Sequence, residues 1–195
     1  FYELVTGTWG GRPDRDGNDG LCNPSNVAGN IPVEQAESEY PLCIERYGLV
    51  RDSGGAGRFR GGLAIERKWR LLAGDSTLSI RSDRRDHRPY GLNGGKPGAP
   101  SLSEVDGAGG VETLPTMIST SIKAGDSVYH RLAGGGGWGD PLTRDPVAVA
   151  RDVRNGKVSP GSARRDYGVV LDGAGLVDAV ATASLRQQVR SRLDE

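Results

Sequence analysis

The chain has 195 residues, enough for one large domain or two small ones packed together around a sizeable core. Lys plus Arg and Asp plus Glu number 25 each, so the formal net charge is zero, which recommends neither nucleic acid nor an anionic membrane as a partner. No run of about 18 apolar residues offers a transmembrane helix. Its 31 glycines are roughly twice the usual share of about 7%, at an irregular period that excludes collagen.

Residues 1–32 are dense in Gly, Asn, Asp and Pro, as in Arg12-Pro13-Asp14-Arg15-Asp16-Gly17-Asn18-Asp19-Gly20. Asp-Gly pairs make turns because the carboxylate bonds the local backbone and Gly takes the left-handed position. A loop this long in a compact domain is functional or is held by a partner. Asp14, Asp16 and Asp19 lack the glutamate that would end a calcium loop, since Ser25 stands where it belongs. They are expected as solvated turn carboxylates, with substrate, metal or partner contact as the alternative. Pro32 opens a short acidic helix that places Glu34 and Glu37 on one face, either as a paired acid and base or simply as an acidic first turn.

Partial period-two alternation then predicts strands over residues 44–51, 63–72, 76–81, 113–122 and 127–132, each bounded by Gly or Asp turns. After Pro141 the pattern becomes helical. Asp145-Pro146 and Ser159-Pro160 each set a capping side chain before a proline at the first helical position. The first of these helices ends at Asn155-Gly156 and the second at Gly168. Residues 175–195 read as a third helix whose late arginines complement its dipole. The expected fold is α+β: a Gly-rich antiparallel sheet or sandwich over 1–141, then short C-terminal helices over 142–195 packed on it as one unit.

Twenty residues separate Cys22 from Cys43, without zinc-ligand spacing. They read as reduced thiols of a cytoplasmic protein. The opening Phe1-Tyr2-Glu3, with no Met and no apolar leader, suggests a trimmed or excised piece. His87, in a charged loop, reads as solvated, and His130 is too far from it for a shared metal site. Gly55-Ala56-Gly57-Arg58-Phe59-Arg60-Gly61 misses the dinucleotide fingerprint by one position, and no Walker lysine is present. Arg58 and Arg60 have the chemistry to grip a carboxylate or phosphate; as strand-end residues facing solvent they need no such role.

The most telling stretch is Asp52-Ser53-Gly54-Gly55-Ala56-Gly57-Arg58-Phe59-Arg60-Gly61-Gly62. With it go Phe1-Tyr2-Glu3, Asp16-Gly17, Asn30-Ile31-Pro32-Val33-Glu34, Pro89-Tyr90-Gly91-Leu92-Asn93-Gly94-Gly95, Ala124-Gly125-Asp126, Gly134 to Pro141, and Tyr167-Gly168-Val169-Val170. In this order the motifs resemble the C-terminal third of the hydantoinase B/oxoprolinase family. One departure is Gly7-Thr8-Trp9-Gly10-Gly11, where Gly-Gly-x-Gly-Ala is usual.

The resemblance implies part of an enzyme that opens cyclic amides such as hydantoins and 5-oxoproline with ATP. It also implies a hydantoinase A-type partner, the remaining N-terminal part of the B-type polypeptide, and ATP and a divalent metal in the complete enzyme. The family's metal-binding residues lie in that earlier part, so none is carried onto this chain and its own cofactors are expected to be none. Asp16, Asn30, Glu34 and Arg58 are expected at the pocket or the interface; no catalytic residue is assigned. Two alternatives are a subunit of an acetone or acetophenone carboxylase and a non-catalytic scaffold that docks the partner.

Overall fold

The structure is a computed structural model that describes residues 1–5, 7–21 and 29–193. Cys22, Asn23, Ser25 and Asn26 lie outside them. Helix α1 (Val33–Glu39) leads into β1 (Leu42–Leu49), β2 (Ile65–Leu71), β3 (Asp75–Arg81), β4 (Leu102–Gly107), β5 (Gly110–Thr113), β6 (Met117–Lys123) and β7 (Ser127–Arg131). A 3-10 turn (Pro141–Thr143) then precedes α2 (Pro146–Arg154), α3 (Pro160–Tyr167) and α4 (Ala179–Leu193).

All pairing between these strands is antiparallel, giving one sheet in the order β1-β2-β7-β4-β5 and a two-stranded sheet of β3 and β6. The short turns after β2 and before β7 fold the pair β3–β6 back over the larger sheet. Leu71 and Val128 of the larger sheet meet Leu78 and Ile122 of the smaller one, with Leu114 between them and Trp69, Ile80, Val105 and Ile118 around the rim. Alternation along each strand supplies this face. The architecture is α+β, as expected.

A second core lies under the helices, where Val149, Val158, Ala163, Tyr167 and Val169 close on Ala56 of the glycine-rich stretch. Both predicted caps are present. The Asp145 carboxylate accepts the Val147 N–H at 2.9 Å and the Ser159 hydroxyl accepts the Ser162 N–H at 3.1 Å. Helix α3 ends on Gly168 in the left-handed region (φ 61°), the conformation that a Cβ disfavours.

Three expectations need correction. The stretch 113–122 is two strands: the Leu114 N–H on the Ser103 carbonyl of β4, at 2.9 Å, closes the β4–β5 ladder, and Pro115 has no N–H to carry it further. Strand β4 is an addition to the expected set, because its inward Ser103 interrupts the apolar alternation. The last helix starts at Ala179 rather than 175, since the Asp172 carboxylate accepts the Ala174 and Leu176 N–H groups and holds a turn there.

Candidate functional site

Four extended stretches, around residues 9–17, 53–62, 91–99 and 134–139, run side by side without forming a regular sheet. Single backbone hydrogen bonds stitch them. The Gly55 N–H reaches the Gly135 carbonyl (2.8 Å), Lys96 reaches Ala56 (2.7 Å), Gly137 reaches Lys96 (2.9 Å), Ala99 reaches Ser53 (2.8 Å) and Gly11 reaches Gly136 (2.8 Å). Glycine is required because the backbones touch. A Cβ on Gly134 would stand 1.8 Å from the Ser53 carbonyl oxygen, and one on Gly61 would stand 1.9 Å from that of Gly135. The same logic places Gly at the axis of a collagen triple helix.

Against this glycine core sits a chain of buried and half-buried charges. Arg144, 3% exposed, donates to both Asp16 oxygens at 2.6 and 2.7 Å and to Asp152 at 2.7 Å. Arg60, 2% exposed, lies 3.7 Å from Asp152 and 3.2 Å from Asp19, and Lys157 closes the row on Asp19 at 2.7 Å. Three cations therefore face three carboxylates, and the row links the 9–17 loop, the glycine stretch, the 3-10 turn and α2.

Burial pushes the Asp16 carboxyl up, but the Arg144 hydrogen bonds and charge together with the Arg60 N–H overcome it, so Asp16 ionises below the ordinary 3.8. Asp19 follows the same pattern: burial raises it, and Lys157 and Arg60 bring it below 3.8. For Arg144, burial disfavours the charge while Asp16 and Asp152 hold it well above the usual arginine value. Burial drives the Tyr167 phenol up beside this row. Every carboxylate in the row is already engaged by a cation. Such a set fixes a shape; it offers no free acid or base.

The residues selected from the sequence fall in two places. Asp16 and Arg58 come together: Arg144 binds the Asp16 carboxylate and also donates to the Arg58 carbonyl at 3.0 Å. The Arg58 side chain is exposed, with its guanidinium over the Phe59 ring at 5.6 Å. Asn30 and Glu34 stand instead beside β1 and on α1. Asn30 donates to the Tyr47 hydroxyl at 2.6 Å, and Glu34 is exposed on α1. Glu37 accepts the Ile44 N–H at 2.7 Å, holding α1 to β1 rather than pairing with Glu34.

Two expectations change with this geometry. Asp16 and Asp19 are not solvated turn carboxylates, because buried cations from distant segments reach them. Arg60 is not a strand-end residue facing solvent; it is among the most buried side chains in the fold. Sequence reasoning does not find Arg60, Arg144, Asp152 and Lys157 as members of one set. The one available signal is that Arg144 and Asp152 stand in a segment otherwise patterned for a helical core.

A second polar group crosses the larger sheet. The register aligns Tyr47 with Arg67, Arg67 with His130, and His130 with Ser103. Arg67 pairs with Glu3 and lies under the Tyr47 ring at 4.8 Å. The Ser103 hydroxyl and His130 Nδ1 are 2.9 Å apart. Ser103 is fully buried, so this pair ties two strands and presents no nucleophile to solvent. Burial, aided by the Arg85 charge, keeps His130 below its ordinary 6.5, and burial raises the Glu3 carboxyl despite Arg67.

Among the described residues no three His, Cys, Asp or Glu side chains converge to hold a metal ion, and the buried aspartates are already neutralised by arginine and lysine. The described residues therefore do not fit a divalent metal, and they supply no Walker loop for ATP. Among the described residues no helix is long and apolar enough to cross a membrane.

Known proteins share this sequence and architecture. The family model for hydantoinase B/oxoprolinase matches residues 1–141. The B component of a putative D-/L-hydantoinase from a Pseudomonas species is 31% identical over 96% of this chain and 32% of its own. The beta component of the caprolactamase from Pseudomonas jessenii is 38% identical over 85% of this chain and 30% of its own. The crystal structure of the ATP-dependent caprolactamase from P. jessenii superposes with a TM-score of 0.80, at 31% identity, over 94% of this chain and 33% of that one. Nucleotide-free acetone carboxylase gives the same TM-score at 26% identity, over 94% of this chain and 29% of its own. This chain spans about a third of the length of the curated relatives it matches. With a family model matching residues 1–141 and an architecture that superposes over 94% of its length, the chain belongs to the hydantoinase B/oxoprolinase family.

Proposed function

We propose that this chain forms the C-terminal part of a hydantoinase B-type polypeptide, acting with an A-type partner in the ATP-dependent hydrolytic opening of a cyclic amide. The observation that carries this reading is the likeness to an ATP-dependent caprolactamase, with a TM-score of 0.80 over 94% of the chain. The glycine core and its charge row then serve as a rigid wall of the complete enzyme, and the catalytic groups, ATP and any metal belong to the rest of the assembly. Within that wall, Asp16 and Asn30 act by holding backbone and neighbouring side chains, while exposed Arg58 and Glu34 face the pocket or the companion polypeptide.

The test is reconstitution. The beta component of the P. jessenii caprolactamase is rebuilt with this chain in place of its matched third, combined with its partner polypeptide, and assayed for ATP-dependent opening of caprolactam. Activity is expected with the whole assembly and none with the chain alone. Turnover of a lactam or hydantoin by the isolated chain overturns the reading. So does unchanged activity when Asp16, Asn30, Glu34 and Arg58 are all replaced by alanine.

A second reading is part of a carboxylase, favoured by the equal superposition on acetone carboxylase. Incorporation of labelled bicarbonate into acetone by an assembly carrying this chain, without ring-opening activity, would select it.

A further inference from the structure

A cleft of about 290 Å³ lies between the glycine core and α3, where two of the glycine motifs come against the helices. Its rim carries Arg88, Lys96 and Arg165 together with Asp52 and Asp166, three cations against two carboxylates. Asp166 is shared, accepting from Lys96 at 3.2 Å and from Arg165 at 2.7 Å. Asp52 is turned to another task, since its Oδ1 accepts the Ser159 N–H at 2.8 Å. Arg88 pairs with no carboxylate among the described residues. Its Nε is anchored on the Gly98 carbonyl at 2.8 Å, and one Nη donates to Pro97 at 3.5 Å.

We propose that this cleft binds a compact oxyanion, a carboxylate or a phosphate carried by a small molecule, with Arg88 and Lys96 as its principal ligands. The positions of the cations are built in rather than incidental. The Lys96 backbone is fixed on both sides, its N–H on Ala56 and its carbonyl under the Gly137 N–H, so the lysine projects from the hydrogen-bonded glycine core. One edge of the Arg88 guanidinium is pinned to the main chain, leaving its remaining N–H groups in the fork geometry that suits a planar or tetrahedral oxyanion.

The cleft has a net positive charge of one unit and walls of Ala56, Pro97 and Val158. An anion attached to a small apolar body fits that combination. A free cation does not. The proposal stands apart from the cyclic-amide reading, since it concerns binding by this chain alone.

The test titrates the purified chain with sodium phosphate and, separately, sodium acetate at constant ionic strength made up with chloride, followed by two-dimensional NMR of the backbone amides. Saturable shifts are expected at Lys96, Pro97-flanking and α3 amides with a dissociation constant of about a millimolar. Arg88→Ala is expected to weaken binding about tenfold and Lys96→Ala several-fold, with Arg165→Ala as an independent third variant. Arg46→Ala, exposed on β1, should leave it unchanged.

Saturation by phosphate alone assigns a phosphoryl-bearing ligand. Saturation by acetate assigns a carboxylate. The proposal is overturned if neither anion saturates, or if all three cleft variants remain folded and bind as tightly as the parent.

Discussion

Arg144 and Asp16 stand 128 positions apart in the chain and meet in a two-pronged ion pair, both nitrogens within 2.7 Å of the two carboxylate oxygens. The pair pins the loop that opens the chain to the helical segment that follows the sheet. Its arginine also reaches Asp152, so one guanidinium holds three parts of the fold.

Replacing Arg144 by alanine leaves Asp16 without its cation and the buried Asp152 with only Arg60, 3.7 Å away. Breaking a buried pair in this way costs about 3–5 kcal/mol. We expect Arg144→Ala to lower the urea midpoint by a matching amount, and Asp16→Asn by clearly less, because Asp16 is 29% exposed. Equal and small shifts for both would show that the row contributes nothing to stability.

The glycine core predicts a sharp contrast between two single-methyl additions. Gly134→Ala drives a Cβ into the Ser53 carbonyl, and neither backbone can yield without breaking its neighbours' hydrogen bonds. A loss of about 3 kcal/mol, or failure to fold, is expected. Gly173→Ala meets open space and should stay within about 0.5 kcal/mol of the parent. Thermal melts of the two variants side by side decide the matter.

Stability should fall in two separate steps as pH is lowered. The folded chain protonates His130 only below its ordinary 6.5. From 6.5 down to that depressed value the unfolded chain binds the proton and the folded chain does not, so stability drops. Asp16 and Asp19 ionise below 3.8 when folded; their contribution is whole above that value and is lost as pH falls through their lowered folded values. Glu3 has the opposite sign: its carboxyl is raised above 4.5, so its protonation favours the folded chain near that pH. A stability profile from about pH 8 to about pH 3 should show the first step vanish in His130→Gln while the acid step persists.

The Tyr129 hydroxyl donates to Glu66 at 3.0 Å. Burial, the hydrogen bond and the Glu66 charge together push its phenol up to about 12. Ultraviolet titration should find two tyrosines ionising late, Tyr129 and Tyr167, and Glu66→Gln should bring only Tyr129 back toward the ordinary 10.0. No change in that variant would place the cause elsewhere.

Local signals are the most legible in this sequence. Asp145-Pro146, Ser159-Pro160 and Gly168 each mark a helix end through chemistry confined to a few residues, and each stands where the spacing places it. Strand β4 is hidden because Ser103 points inward to His130, so its polarity contradicts its burial. The charge row is hidden for a different reason. Asp16, Arg60 and Asp152 lie far apart in the chain, and a carboxylate in a Gly-rich loop looks the same whether water or a distant arginine satisfies it. Glu34 and Glu37 both fall on α1 as expected, yet only the fold shows that Glu37 serves the first strand.

Glycine against glycine has a thermal consequence. Unfolding this part of the molecule hydrates peptide groups rather than hydrocarbon, and wetting polar surface lowers the heat capacity where wetting apolar surface raises it. Calorimetry should therefore return a smaller increment per residue than a leucine-filled domain of equal size, and a broader, flatter dependence of stability on temperature.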